Sequence, residues 1–203
     1  GGNTGDTGDT GTTTPPVVIV RPAFNDIANQ WYTDAANYVG RNGIMSGVGG
    51  GRFDPNGFSS RAMVAQVIYN MEGSPATAGV SGFTDVLAGQ WYTDAVTWNV
   101  SAKIVNGYGN GLFGTNDNVT REQLVVLLYR YAQYKGYGTS ASGSLAAFVD
   151  SASVSDWATQ AMSWAVANGI INGKDGARLD PQGTATRAEM AKILMTFCQT
   201  IAE

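Results

Sequence analysis

Three arginines, Arg61, Arg121 and Arg187, each follow a hydroxyl residue, in Ser60-Arg61-Ala62-Met63, Thr120-Arg121-Glu122-Gln123 and Thr186-Arg187-Ala188-Glu189. In the third step Thr186 can cap a helix while Glu189 reaches back to the Thr186 N–H, the pattern of a capping box. Arg187 then falls in the first helical turn, where the dipole is positive and a cation costs roughly 0.3–1 kcal/mol. A misplaced cation that recurs three times invites an anion, held by a charge-assisted hydrogen bond at a helix start. The competing reading is a structural ion pair with Asp26, Asp85 and Asp150, which recur as faithfully. The two readings are compatible if the aspartate orients the arginine.

The elements that position these arginines are legible in apolar spacing. After Arg187 the residues Met190, Ile193, Leu194 and Phe197 recur with helical period. Val64, Val67, Ile68 and Met71 follow Arg61 in the same way, and Leu124, Leu127, Leu128 and Tyr131 follow Arg121. This predicts helices over about 61–72, 121–135 and 187–201. A helix upstream of each, over about 31–42, 91–102 and 157–168, carries a Trp, an Ala and an aromatic at i, i+4 and i+7. Asn42-Gly43-Ile44 and Asn168-Gly169-Ile170 read as helix stops with glycine in the left-handed conformation. The second copy has Lys103 there, which must strain or end its helix differently.

The two helices and their loop form one unit repeated three times. Phe24, Phe83 and Phe148 each stand two residues before Asp26, Asp85 and Asp150. Trp31, Trp91 and Trp157 follow, then Ile44, Ile104 and Ile170, and then Gly47, Gly107 and Gly173. The arginines lie thirty residues after the tryptophan in every copy. Repeats run over about 24–72, 83–135 and 148–203, separated by Gly/Ser/Ala-rich linkers. Two short helices cannot bury their apolar faces alone, so the copies should pack on one another. The expected fold is all-α, with the second helices as a central three-helix hub of approximate threefold symmetry and three equivalent grooves between repeats. Residues 23–203 then form one domain, preceded over 1–22 by a flexible linker and a short extended segment, Val17 to Val20. Two Gly-Asp-Thr steps in that linker lack the further spaced carboxylates that calcium requires.

Composition bounds the chemistry. The 203 residues carry a net charge of −4, which argues against nucleic acid as a partner. No run is long enough for a membrane span, and no signal peptide opens the chain; an exported form would be a mature fragment. There is no histidine, which removes Ser-His-Asp and Cys-His chemistry and the commonest metal ligand. No metal site and no cofactor are expected. The single cysteine, Cys198, excludes an internal disulfide and reads as a buried free thiol. Asp34 and Asp94 sit in first helical turns, where a carboxylate suits the dipole, so they are not read as an acid–base pair.

The pattern Phe-x-Asp, Trp, Ala, Gly-Ile-x-x-Gly, Phe and Thr-Arg-Ala-Glu strongly resembles the S-layer homology repeat, from Phe24 to about Ala202. The resemblance implies a non-catalytic module that anchors a larger surface protein to the bacterial cell wall, without covalent attachment or membrane insertion. The implied partner is a secondary cell-wall polysaccharide, often carrying ketal-linked pyruvate, and the module is expected to be monomeric. It also implies that Arg61, Arg121 and Arg187 face the groove that receives the acidic sugar. Copy one departs with Ser60 and Met63 and copy two with Glu122-Gln123, so only copy three matches the step in full. Trp31, Trp91 and Trp157 then have two readings, a core stripe or a sugar-stacking face. Gly47, Gly107 and Gly173 either serve the turn alone or let sugar approach the backbone, helped by Tyr108 in copy two. A protein-interaction or surface-layer assembly module is the alternative function, although it gives no reason for the threefold arginine.

Overall fold

The structure is a computed structural model that describes residues 23–175 and 177–202. The expected linker and extended segment over 1–22 lie outside the described residues. Among the described residues there are six α-helices and no strands, only isolated bridges. The helices are α1 (Thr33–Arg41), α2 (Arg61–Met71), α3 (Thr93–Ser101), α4 (Arg121–Lys135), α5 (Thr159–Ala167) and α6 (Arg187–Thr200). Each first helix starts two residues later than its tryptophan suggests, because the Trp belongs to the turn that leads in. Thr33 ends that turn in copy one, where its Oγ1 accepts from the Gln30 N–H at 2.9 Å and donates to the Ile27 carbonyl. Thr93 accepts from Gln90 in the same way.

The helices pair across repeats. α2 packs on α3, α4 on α5, and α6 returns to α1, so that the first helix of each copy lies on the second helix of the copy before it. Among the second helices α2 also touches α4. One continuous apolar cluster runs through all three copies, built on Val64, Ile68, Leu124, Leu128, Met190, Leu194 and Phe197. The second-helix stripes read from the sequence are therefore buried, save the half-buried Met71 at the end of α2. Of the first-helix aromatics, Trp164 is fully buried, while Tyr38 and Trp98 are half-buried. Cys198 is half-buried rather than buried, and burial pushes its thiol above its ordinary value.

The segments just ahead of the second helices lock to each other. Ser59 N–H donates to Ala185, Ala185 N–H to Val119, and Val119 N–H back to Ser59, at 2.9–3.1 Å. This closed circuit of backbone bonds ties the three copies together at one end. Apolar periodicity carries no signal for it, because backbone atoms make it.

Gly43 and Gly169 adopt the left-handed conformation expected of helix stops, at φ 68° and 65°. Lys103 takes the strained option, with φ 59°. A left-handed non-glycine residue costs about 1–2 kcal/mol, and the exposed Lys103 side chain has no burial to offset it. Lys103→Gly is expected to raise stability by about 1 kcal/mol, the relief outweighing the added freedom of the unfolded chain. Thermal denaturation should show a rise of about 2–4 °C; a lower melting temperature would mean that the lysine is not strained.

Candidate functional site

Each aspartate of the Phe-x-Asp step grips the loop of its own copy. Asp26 accepts from the N–H groups of Phe53 (2.7 Å) and Asp54 (2.9 Å). Asp85 accepts from Phe113, Gly114 and Thr115, and Asp150 from Leu179 and Asp180. Burial pushes all three carboxyls up, but these N–H groups together outweigh it and hold each one below the ordinary 3.8. A carboxylate with a lowered folded value stabilises at pH above its unfolded value and loses that contribution as acid protonates it. The fold should be insensitive to pH from neutrality down to about 5 and lose stability steeply below about 4. Asp85→Asn should flatten that acid limb in a denaturation series read by circular dichroism; an unchanged limb would mean the loop carboxylates are not its source.

The arginines grip the same loops from the other side, across the repeat junction. Arg61 donates Nε to the Phe113 carbonyl (2.8 Å) and Nη2 to Asn106 (2.7 Å). Arg187 donates Nε to Phe53 and Nη2 to Ser46, both at 2.7 Å, and Arg121 donates Nε to Leu179 at 2.9 Å. Phe53, Phe113 and Leu179 are thus each held twice. The N–H goes to the aspartate of the same copy and the C=O accepts from the arginine of the preceding one. The direct Asp–Arg ion pair considered from sequence is replaced by this bridge through a shared loop residue. All three arginines are 4–8% exposed, and burial pushes their guanidinium groups down from the usual value. Cation–π packing helps hold two of them: Arg61 lies 4.7 Å from the rings of Tyr108 and Phe113, and Arg187 4.8 Å from Phe53.

The helix-start amides are spent within the protein, which corrects the expectation that they would greet an anion. Arg61, Arg121 and Arg187 N–H donate to the carbonyls of Asp117, Gly183 and Gly57. The next amides, of Ala62, Glu122 and Ala188, donate to Thr115, Pro181 and Pro55. The amides of Met63, Gln123 and Glu189 are capped by Ser60, Thr120 and Thr186. Nη1 of Arg61 and of Arg187 is the guanidinium nitrogen left over among the described residues.

Three grooves lie at the junctions, and each draws on all three copies. The first, about 560 Å³, has Ser46, Gly47 and α2 from copy one, Trp91 from copy two and Arg187 from copy three. The second, about 370 Å³, has Asn106, Gly107, Tyr108 and α4, with Trp157 and Arg61. The third, about 520 Å³, has Asn172, Gly173, Lys174 and α6, with Trp31 and Arg121. Volumes of this size suit a sugar residue. Trp31, Trp91 and Trp157 are 58–63% exposed, so the core reading fails and the indoles stand as groove walls. Edge-on contacts from the adjacent tyrosine brace two of them, Tyr32 on Trp31 and Tyr92 on Trp91, with centroids 5.2 Å apart. Leu127 and Ile193, read from sequence as hub residues, line groove floors.

The glycines have a packing reason. A Cβ on Gly47 or Gly107 would stand 2.5 Å from the carbonyl oxygen of Arg52 or Leu112 and would strike the Phe24 or Phe83 ring. On Gly173 it would meet Phe148 at 2.9 Å. Glu122, which departs from the repeat pattern, is a residue that spacing alone did not assign. It is buried and accepts from Ser155 N–H and Oγ and from Gln182 Nε2, at 2.7–3.0 Å. It anchors the turn before α5, where the stretch from Asp150 to Trp157 is longer than in the other copies.

Helix–loop–helix repeats that share an aromatic wall and a buried cation at each junction form one repeat-built module. The S-layer homology domain family matches this chain three times, over residues 23–62, 82–125 and 147–191, and the chain belongs to that family. It is 31% identical over 84% of its length to an amylopullulanase of Thermoanaerobacterium thermosulfurigenes, of which it covers 9%. It is 32% identical over 78% of its length to a surface-layer 125 kDa protein of Lysinibacillus sphaericus, covering 13% of that protein. It is 28% identical over 88% of its length to the S-layer protein sap of Bacillus anthracis, covering 22%. The chain thus spans less than a quarter of each of these relatives. Family and surface-layer relatives make it a cell-surface anchoring module associated with the bacterial cell wall.

Proposed function

We propose that the module binds an acidic secondary cell-wall polysaccharide, pyruvylated in the natural polymer, through its inter-repeat grooves, and that it anchors without catalysing. The observation that carries this reading is the recurrence at every junction of one exposed indole opposite one buried arginine. An indole face offers the apolar stacking that a sugar ring takes, and a guanidinium nitrogen offers a charge-assisted bond to a carboxylate. The glycines leave the loop backbone at the groove wall. The aspartates act indirectly, because each one fixes the loop whose carbonyl orients an arginine. Several grooves on one frame gain through effective concentration when a polymer spans them. Sedimentation with purified cell walls should retain the protein. Extraction of the secondary polymer should abolish retention, whereas retention by stripped peptidoglycan would contradict the reading.

A further inference from the structure

One position of the second helix, nine residues after its arginine, lines the groove of its own copy in all three cases. The copies fill it differently, with Asn70, Arg130 and Thr196. Two of these are spent inside the protein. Asn70 donates to the Ile44 carbonyl at 3.1 Å and accepts from Gln66 at 2.8 Å, and Thr196 donates to the Lys192 carbonyl at 3.0 Å. Arg130 is half-buried and makes no hydrogen bond or ion pair among the described residues. It shares the second groove with Arg61, whose Nη1 is left over. The two cations feel each other. Burial holds the Arg61 guanidinium below its usual value and the like charge of Arg130 adds to this, against the pull of Asp117 and Asp85. Those carboxylates are occupied, Asp117 by the Tyr108 hydroxyl at 2.9 Å and Asp85 by three loop amides, and no carboxylate lines the groove. The other grooves hold less net charge. Arg187 is the one charged residue lining the first. Arg121, Lys174 and Lys192 line the third together with Asp175 and Glu189, and Lys174 stands 2.6 Å from Glu189. The second groove is also the smallest, about 370 Å³ against 560 and 520 Å³. Two guanidinium groups in the least room suit an anion that concentrates two charges on one group.

We propose that Arg130 makes the second groove a site for a sugar phosphate monoester, a dianion that Arg61 and Arg130 hold together. A phosphate monoester carries a charge of about −1.5 to −2 at pH 7 and presents three acceptor oxygens, so each guanidinium can take its own. A ketal-linked pyruvate brings one carboxylate and one charge, which matches the single cation of the first groove and leaves one of the two in the second uncompensated. This inference rests on the reading of the grooves as acidic-sugar sites and narrows that reading at the second.

Each exposed indole reports on one groove: Trp91 on the first, Trp157 on the second and Trp31 on the third. The probes are methyl glucoside 6-phosphate and methyl 4,6-O-pyruvylidene glucoside, titrated into the whole chain while the indole N–H resonances are followed. At about pH 7.5 Trp157 should favour the phosphate by about tenfold or more, while Trp91 shows no such preference. At about pH 5 the phosphate has regained a proton that leaves near pH 6, and the preference at Trp157 should fade. The groove lining holds no histidine or carboxylate that could titrate in that interval. Arg130→Asn gives the second groove the residue of the first. It should weaken the phosphate at Trp157 by about tenfold or more and leave the Trp91 titrations where they were. A wild-type Trp157 without preference for the phosphate, or a preference that survives Arg130→Asn, overturns the inference, and the acidic-sugar reading stands as long as the pyruvylated sugar moves the indoles. Inorganic phosphate that displaces the sugar phosphate at equal concentration would overturn the assignment to a sugar. If neither sugar moves any indole, the acidic-sugar reading falls and this inference with it.

Discussion

Trp164→Ala should unfold the whole chain in one transition, about 3–5 kcal/mol less stable than the wild type. Trp164 is fully buried, with its ring edge-on to Tyr129 of α4 at 5.3 Å and near Phe197 of α6 at 6.2 Å. Its Nε1 donates to the Gly138 carbonyl at 3.1 Å, in the linker between copies two and three. Truncation therefore opens a cavity where two copies meet and strands a linker carbonyl. At about 2–4 °C per kcal/mol for a domain of this size, the midpoint should fall by roughly 6–20 °C. Calorimetry decides the architecture as well as the magnitude. Because each first helix leans on the second helix of another copy, no copy has a core of its own to retain. Two separated transitions, with copy one surviving the loss of copy three, would rule out a single cooperative unit.

Helix existence, helix type and the repeat were legible because amphipathic spacing reports burial, and every second-helix stripe residue named from spacing is buried except Met71, which is half-buried. The partners of those helices were not legible. Periodicity says that a face is covered but not by what, and the pairing of α6 with α1 spans the chain. The tryptophans show the same limit from the other side. At the start of a helix their spacing fits a core stripe, yet residues 31, 91 and 157 sit in the lead-in turn, two residues ahead of the helix. The arginines were found by an electrostatic oddity, a cation in a first turn. What explains the oddity is backbone: carbonyls of the next copy's loop take up both the side chain and the helix-start amides. Carbonyl positions carry no sequence signature. The ion pairs of Glu189 were hidden for a related reason, since the capping box accounts fully for a glutamate at that position until Lys174 and Arg121 are seen on its other oxygen.

Arg187→Ala should lower both stability and affinity, which the sequence alone set as alternatives. The guanidinium is buried and spends Nε on Phe53 and Nη2 on Ser46, joining copy three to copy one over more than a hundred residues of chain. Bonds from a charged donor are worth about 1.5–3 kcal/mol each, and the buried Phe53 carbonyl would be left unpaired along with the partly buried Ser46 carbonyl, so a loss of about 3–5 kcal/mol is expected. Arg187→Lys should recover little of it. An ammonium keeps the charge but cannot place two donors in the plane that reaches both carbonyls. Affinity then has to be measured below the variants' melting range, on the Trp91 indole. There Arg187→Ala should weaken binding of a methyl 4,6-O-pyruvylidene glucoside, a small sugar with ketal-linked pyruvate, in the first groove by roughly 10- to 150-fold. The neutral parent glucoside should bind wild type and variant alike. A melting loss with undiminished affinity for the acidic sugar would make Arg187 a clamp between copies and nothing more. Equal melting of wild type and Arg187→Lys would instead remove the two-carbonyl grip as the source of its stability.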